Sequence, residues 1–320
     1  MSIGEYDRAR PVGATEPVHA LCLAPVTAID FGPDGTITVC NHYNHWIARI
    51  QEHESFLDVW RGPEFQKLRD NMRNYVLDED CCRHCVRHIR SGVPTQTFAT
   101  LQFDRMPPVD PNPASPDYLI FRLSNNCNLA CVMCDEFFSS VIREKREELS
   151  TIRRYYGERF FQDIEQILPT TRYVEFYGGE PFLVPEHRRV FELIEKTGSR
   201  CGIYVNTNGT SLNAQSKHWL ETLNFRVIAV SMDASNAKLH SRTRIGIVHE
   251  VLHRNFRWLL DLRERKGLAL SINVTELRQN WFDLPQMFRF AASVDCAIHI
   301  NTCVWPPYCS LYTLPTDQLR

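Results

Sequence analysis

No apolar run in this chain of 320 residues reaches the ~18 residues that a membrane-spanning helix needs. The first residues, Met1 to Pro17, are polar and hold no apolar signal core, so nothing in them reads as a secretory leader. An excess of either charge is also missing. Thirty-six Lys and Arg stand against 38 Asp and Glu, for a net charge of −2. A broad basic surface for nucleic acid is therefore not indicated, and nucleic acid ranks low among partners. No repeat is visible beyond an alternation of strand and helix. With these classes set aside, a cytoplasmic protein with a packed core is the expectation, since 43% of residues are hydrophobic and 23% charged. In that compartment thiols stay reduced, so the 12 cysteines read as ligands before they read as disulfides.

Three of them organise the chain: Cys127, Cys131 and Cys134, within eight residues. Clustered thiolates select zinc or iron–sulfur clusters. A closed zinc site wants four ligands, and no further Cys or His follows nearby. Three thiolates on one loop suit a four-iron cluster with one iron left open to chemistry.

A second group lies upstream. Val26–Phe31, the turn Gly32-Pro33-Asp34-Gly35 and Thr36–Cys40 read as a β-hairpin with Cys22 and Cys40 at its outer ends. A helix is expected over Pro63–Tyr75, from the spacing of Phe65, Leu68 and Met72. Cys82-x2-Cys85 then has the spacing of a metal knuckle. Cys22, Cys40, Cys82 and Cys85 make a four-ligand set, with His42, His45, His84 and His88 as alternative zinc ligands. Spacing alone leaves zinc and iron–sulfur even. Cys81 has no assigned role. Five prolines between Met106 and Asp117 read as a semi-rigid linker.

After the linker, strands are expected at 119–123, 173–177, 202–207, 226–231, 268–274 and 297–301. Helices are expected at 139–168, 186–197, 213–222, 246–266 and 282–293. Regular alternation implies parallel strands joined by right-handed crossovers, in an open sheet or a partial barrel. Ligands of such folds bind at the carboxyl ends of the strands. The cysteine loop, Gly178-Gly179-Glu180-Pro181, Asn206-Thr207-Asn208 and Ser231-Met232-Asp233 all fall there. Cys201 and Cys296 read as core fillers. Trp305-Pro306-Pro307-Tyr308 reads either as the lip of a substrate mouth or as a plain rigid loop.

Cys127-x3-Cys131-x2-Cys134 after the first strand, with Gly178-Gly179-Glu180-Pro181 after the second, resembles the radical S-adenosylmethionine (radical SAM) superfamily over residues 118–305. The resemblance implies an α/β fold, a partial (β/α)6 TIM-like barrel. It implies a catalytic [4Fe–4S] cluster on Cys127, Cys131 and Cys134. It further implies S-adenosyl-L-methionine on the open iron, cleaved reductively to a 5′-deoxyadenosyl radical that abstracts a substrate hydrogen. By the same resemblance Met133, Gly178, Gly179, Glu180, Asn206 and Asn208 are cofactor-binding candidates. Ser231-Met232-Asp233, followed by His240 and Arg244, resembles a segment of the peptide-modifying subgroup, which adds Ser231 and Arg244. Arg242 competes with Arg244, because Ala234 replaces a glycine and one extra residue precedes His240.

Cys22-x12-Gly35-x4-Cys40 with Cys82-x2-Cys85 resembles the first half of a SPASM domain, the "twitch" form, which implies one auxiliary [4Fe–4S] cluster. Ser91 stands where a further cysteine would fall. The expected organisation is a flexible arm (1–17), the auxiliary module (18–105), the linker (106–117), the barrel (118–305) and the start of a C-terminal segment (306–320), with Cys303 and Cys309 as candidates for a trailing module. The expected activity is oxidative modification of a peptide or small molecule, with an electron donor such as flavodoxin or ferredoxin. The alternatives are a redox-neutral epimerisation or rearrangement and, in another class, a non-enzymatic zinc scaffold.

Overall fold

The computed structural model describes residues 4–5, 20–40, 45–92, 103–104 and 110–318. His42, most of the expected arm and the first part of the proline linker lie outside them. Contacts divide the chain into two compact units. One is Met1–Phe121 with Arg154–Val174 and Lys196–Cys201; the other is Arg122–Arg153, Glu175–Glu195 and Gly202–Arg320.

In the first unit, β1 (Ala28–Phe31) and β2 (Thr36–Thr38) form the expected hairpin, and β3 (Ala48–Arg49) extends it. The turn closes through Gly32 N–H to Thr36 O at 2.8 Å. Gly35 sits at φ +78°, and a Cβ there would strike the Tyr155 ring at 2.6 Å. Helices α1 (Phe56–Arg61), α2 (Pro63–Arg73) and α3 (Arg83–Ser91) follow. Strand β4 (Tyr118–Phe121) then pairs in parallel with β1, from Ala28 against Tyr118 to Phe31 against Phe121. The sequence reading did not place the hairpin beside this strand. The physical reason lies in aromatic packing. Phe31 stacks on Phe121 at 5.8 Å and meets Phe56 and Phe160 edge-on at 5.0 Å each. All four rings are buried, and a two-stranded hairpin cannot cover such a face alone.

The helix expected over 139–168 breaks in two. A π-type turn spans Ile142–Arg146, and α4 covers Glu158–Ile167. Glu148 takes φ +52°, which no helix accepts, and Gly157 starts α4 in an extended conformation. Between them Tyr156 is buried and donates to Gly32 O.

The second unit carries β5 (Ala130–Cys131), half of β6 (Tyr173–Phe176) and most of α5 (Pro185–Thr197), then β7 (Gly202–Thr207), α6 (Ala214–Thr222), β8 (Phe225–Ser231) and α7 (Ala237–Thr243). It ends with β9 (Arg244–Ile245), α8 (His249–Lys266), β10 (Ala269–Glu276), α9 (Leu284–Ser293) and β11 (Ala297–Thr302). Strands β7 and β8, β8 and β10, and β10 and β11 pair in parallel. This is the largely parallel α/β arrangement of a partial barrel, and the six expected strands are present within two residues of their expected ends. The centres of the first five are apolar and buried, as both-face coverage by helices requires, while β11 at the edge is mostly exposed. A short antiparallel ladder joins β5 to β9 and had no signal in the sequence.

Candidate active site

The three cysteines of the loop sit at the β5–β9 ladder. Cys131 lies opposite Arg244, and Val132 N–H donates to Thr243 O at 2.9 Å. Cys134 N–H closes a turn onto Cys131 O at 3.1 Å. Burial pushes the Cys127 and Cys134 thiols up to about 12. Neighbouring charge adds to this: Glu180 and Cys131 act on Cys127, and Cys131, Asp135 and Cys127 act on Cys134. Three thiols in each other's field stay protonated at neutral pH, and a cationic iron site removes both the protons and the repulsion. The donor set therefore fits an iron–sulfur cluster.

Arg244 is the fixed cation of the site. Its Nη1 lies 3.8 Å from Cys131 Sγ, and its Nε lies 2.7 Å from Asp233 Oδ2. Burial works against its charge, but Asp233 and Cys131 outweigh that and hold it above its ordinary pKa. Burial raises the Cys131 thiol, and Arg244 opposes the rise. Asp233 Oδ1 accepts Thr275 N–H at 2.7 Å, so the carboxylate is braced on both sides. Arg242 is exposed on α7, while Arg244 is buried against Cys131.

Glycines 178 and 179 both take positive φ, +69° and +57°. A Cβ on Gly179 would lie 2.4 Å from Asn126 O, one residue before Cys127. This is the close backbone approach for which glycine is needed. Glu180 follows, fully buried. Its N–H donates to Asn126 O at 2.8 Å; its Oε1 accepts Thr207 Oγ1 at 2.6 Å and its Oε2 accepts Asn208 N–H at 2.8 Å. Burial pushes its carboxyl up to about 7 against those hydrogen bonds. Glu180 thus ties the loop after β6 to the end of β7. Asn208 continues the network through Nδ2 to Asn128 Oδ1 at 2.9 Å, and Ser231 Oγ donates to Asn206 Oδ1 at 3.2 Å. Met133 packs on Leu277, Cys303 and Cys309. Beside it a cleft of about 250 Å³ is lined by Met133 to Glu136, Arg146, Glu147, Trp305, Pro306 and Tyr308.

In the first unit the four upstream cysteines come together. Burial raises the Cys22 thiol well above its usual value, and Cys40, Cys85 and Cys82 each raise it further. Cys81 is not among the groups that act on it. Burial also pushes Cys85 up to about 11. Cys82 caps α3 and Cys85 sits in its first turn, while Leu21 N–H to Met72 O at 2.9 Å ties the Cys22 segment to α2. Four mutually repelling thiols, Cys40 and Cys85 buried and Cys22 and Cys82 half-buried, again fit a cationic centre. Among the described residues, no three Cys, His, Asp or Glu side chains are grouped closely enough to hold a single metal ion. No described helix is long and apolar enough to cross a membrane.

Sequence reasoning missed Asp233 as the partner of Arg244, Asn126 and Asn128 as partners of the Gly-Gly-Glu turn, and Tyr308 and Cys309 as contacts of the cysteine loop. The asparagines flank Cys127 in Asn125-Asn126-Cys127-Asn128, which was the available signal.

The family model of the radical SAM superfamily matches residues 121–291. The chain belongs to the radical SAM superfamily. Membership implies an enzyme with a [4Fe–4S] cluster and S-adenosylmethionine. A second model, the SPASM iron–sulfur cluster-binding domain, matches residues 22–86 and implies an auxiliary cluster. No match was found among curated proteins. Solved structures similar to this radical SAM chain include polyhistidine-tagged anSMEcpe with bound AdoMet, at 20% identity over 59% of this chain and 51% of that one, TM-score 0.45. Another is Streptococcus suis SuiB bound to its precursor peptide SuiA, at 15% identity over 64% and 44%, TM-score 0.44. A third is the methyltransferase TsrM from Kitasatospora setae with tryptophan and a SAM analogue, at 13% identity over 55% and 34%, TM-score 0.42. The chain spans about half the length of the first solved structures it matches.

Proposed function

We propose that this radical SAM enzyme reductively cleaves S-adenosylmethionine and oxidatively modifies a peptide or small molecule. The observation that carries the reading is the meeting of three thiols, one buried and two half-buried, with one buried arginine and the Gly-Gly-Glu turn around a single loop. Cys127, Cys131 and Cys134 hold the cluster, which together with S-adenosylmethionine supplies the 5′-deoxyadenosyl radical. Gly178 and Gly179 keep side chains out of the space beside Cys127. Glu180, ionised by a cationic neighbour, presents negative charge to the cofactor's ammonium. Arg244 and Ser231 face its carboxylate, Asn206 and Asn208 its ribose or methionine portion, and the Met133 backbone its adenine. Cys22, Cys40, Cys82 and Cys85 hold the auxiliary cluster, which takes up an electron from the substrate radical or orients the substrate. A flavodoxin or ferredoxin supplies the reducing electron.

Anaerobic reconstitution tests this. About eight irons are expected from two four-iron sites, with 5′-deoxyadenosine formed after reduction in the presence of S-adenosylmethionine. Changing Cys127, Cys131 and Cys134 together to Ala should abolish cleavage and leave about four irons. Four irons with stoichiometric zinc would remove the auxiliary-cluster assignment. Absence of 5′-deoxyadenosine from fully loaded protein would remove the enzymatic one.

A further inference from the structure

The segment between the second and third cysteines is gripped from two sides. Val132 N–H is taken by Thr243 O, on the Arg244 side. Val132 O receives two donors from the loop after β11. Tyr308 Oη lies at 3.0 Å and Cys309 Sγ at 3.4 Å. The thiol is held in place. Cys309 is fully buried with Leu277 and Cys303 against Val132 and Met133, its carbonyl accepts Arg278 N–H at 2.8 Å, and Gln279 Nε2 lies 3.8 Å from its sulfur. Next along the loop, Arg146 Nη2 donates to Cys134 O at 3.2 Å.

We propose that Tyr308 and Cys309 are positioning residues, a two-donor latch on Val132 O that fixes the loop presenting Cys131 and Cys134 to the catalytic cluster. This rests on the reading that those cysteines hold it. Cys309 is thereby assigned to this loop and not to a trailing cluster module. A carbonyl oxygen has two lone pairs and can accept both donors at once. Removing one donor leaves the other in place. Removing both leaves the loop without either tie, and that costs more than either single loss. The latch therefore has a signature in the way its losses combine.

The test measures the rate at which a ferrous chelator strips iron from the reconstituted enzyme. The phase missing from the Cys127/Cys131/Cys134→Ala protein is the catalytic cluster's. Tyr308→Phe keeps the ring, and Cys309→Ala removes the thiol. Each alone should speed that phase by less than about threefold, and the two together by well over the product, roughly twentyfold. Cys309→Ser in the Tyr308→Phe background restores a donor and should bring the rate back to the single-variant level. Tyr312→Phe makes the same chemical change on a residue of this loop that is 74% exposed, and should leave the rate alone. The electron paramagnetic resonance line shape of the reduced catalytic cluster should change in the double variant and recover with serine. Multiplicative single effects, or no recovery with serine, would overturn the latch. Wild-type protein that binds iron on the loop but forms no 5′-deoxyadenosine would overturn the proposed function and leave the latch standing. Absence of any iron phase assignable to the three cysteines would overturn both.

Discussion

Replacing Gly179 with Ala should damage this protein far more than the same change at two other glycines of similar backbone. Gly267, Gly178 and Gly179 all have φ between +57° and +69°. Around Gly267, at the end of α8, nothing lies within 4 Å of a new Cβ. Its substitution costs only the left-handed conformation, about 1 kcal/mol. At Gly178 the Cβ would meet Arg122 Cβ at 3.2 Å, a contact that a shift of a few tenths of an ångström relieves. At Gly179 the Cβ would meet Asn126 O at 2.4 Å, with Asn126 N and C each at 3.1 Å. These are backbone atoms. Asn126 O already accepts Glu180 N–H, and Asn126 Nδ2 donates to Leu183 O at 3.1 Å. Relief means breaking that turn, at about 1 kcal/mol for the hydrogen bond and 1–3 kcal/mol for overpacking. Together with the φ cost, Gly179→Ala should lose about 3–5 kcal/mol, at least 2 more than Gly267→Ala. Denaturant midpoints of the three apo variants measure this. Iron incorporation reads the displaced Asn126–Cys127 segment and should fall in Gly179→Ala alone. Equal midpoints for Gly179→Ala and Gly267→Ala would refute the close approach.

The Arg244–Asp233 pair predicts a non-additive cycle. Arg244→Gln or Asp233→Asn each leaves a buried charge uncompensated and should cost about 3 kcal/mol, whereas the double variant should cost clearly less than the sum. Additive urea midpoints would show that the two side chains do not depend on each other. His187 predicts an acid-side loss of stability. Its buried ring accepts Leu123 N–H at Nε2, 3.3 Å away, and burial lowers its pKa from 6.5 to about 3. The folded state thus binds fewer protons than the unfolded one, so the contribution is whole above pH 6.5 and falls as pH drops toward 3, by up to about 1.4 kcal/mol per unit. His187→Gln should flatten the stability profile between pH 6 and 4 by about that slope, and an unchanged slope would count against a buried neutral ring.

The six strands were legible because each is a short apolar run bounded by turn residues, and five of them are buried at their centres, where such runs have no second place to go; β11 is mostly exposed and was legible by pattern alone. Helix ends were legible where a residue enforces them. Gly267 stops α8 at φ +67°, and Pro185 opens α5. The break at Glu148 was hidden, because Arg143 to Glu148 has the charge spacing of a solvated helix. What ends the helix there lies far away in sequence. Tyr155 and Tyr156 are drawn off by the Gly32–Gly35 turn, more than a hundred residues upstream. The partnership of β1 with β4 was hidden for the same reason, since a strand's pattern says that it is covered but not by what.

The proposed cofactor site divides along a similar line. Residues whose proposed role is their own chemistry stood out by type and spacing: thiols at four and three, paired glycines before a glutamate, an arginine after an acidic motif. The residues that aim them did not, because their part is played through backbone atoms that have no letter in the sequence. Asn126 matters through its carbonyl, which both fills the space beside Gly179 and accepts Glu180 N–H. Val132 matters through its own carbonyl, where Tyr308 and Cys309 converge. A cysteine near a cysteine-rich site invites a ligand assignment, and Cys309 drew one. Its sulfur points at an oxygen acceptor, and its neighbours are Leu277 and Met133. The thiol is used there as a small buried donor that fits where a longer side chain would not. If that is its use, serine should serve in its place, which no iron ligand would tolerate so well.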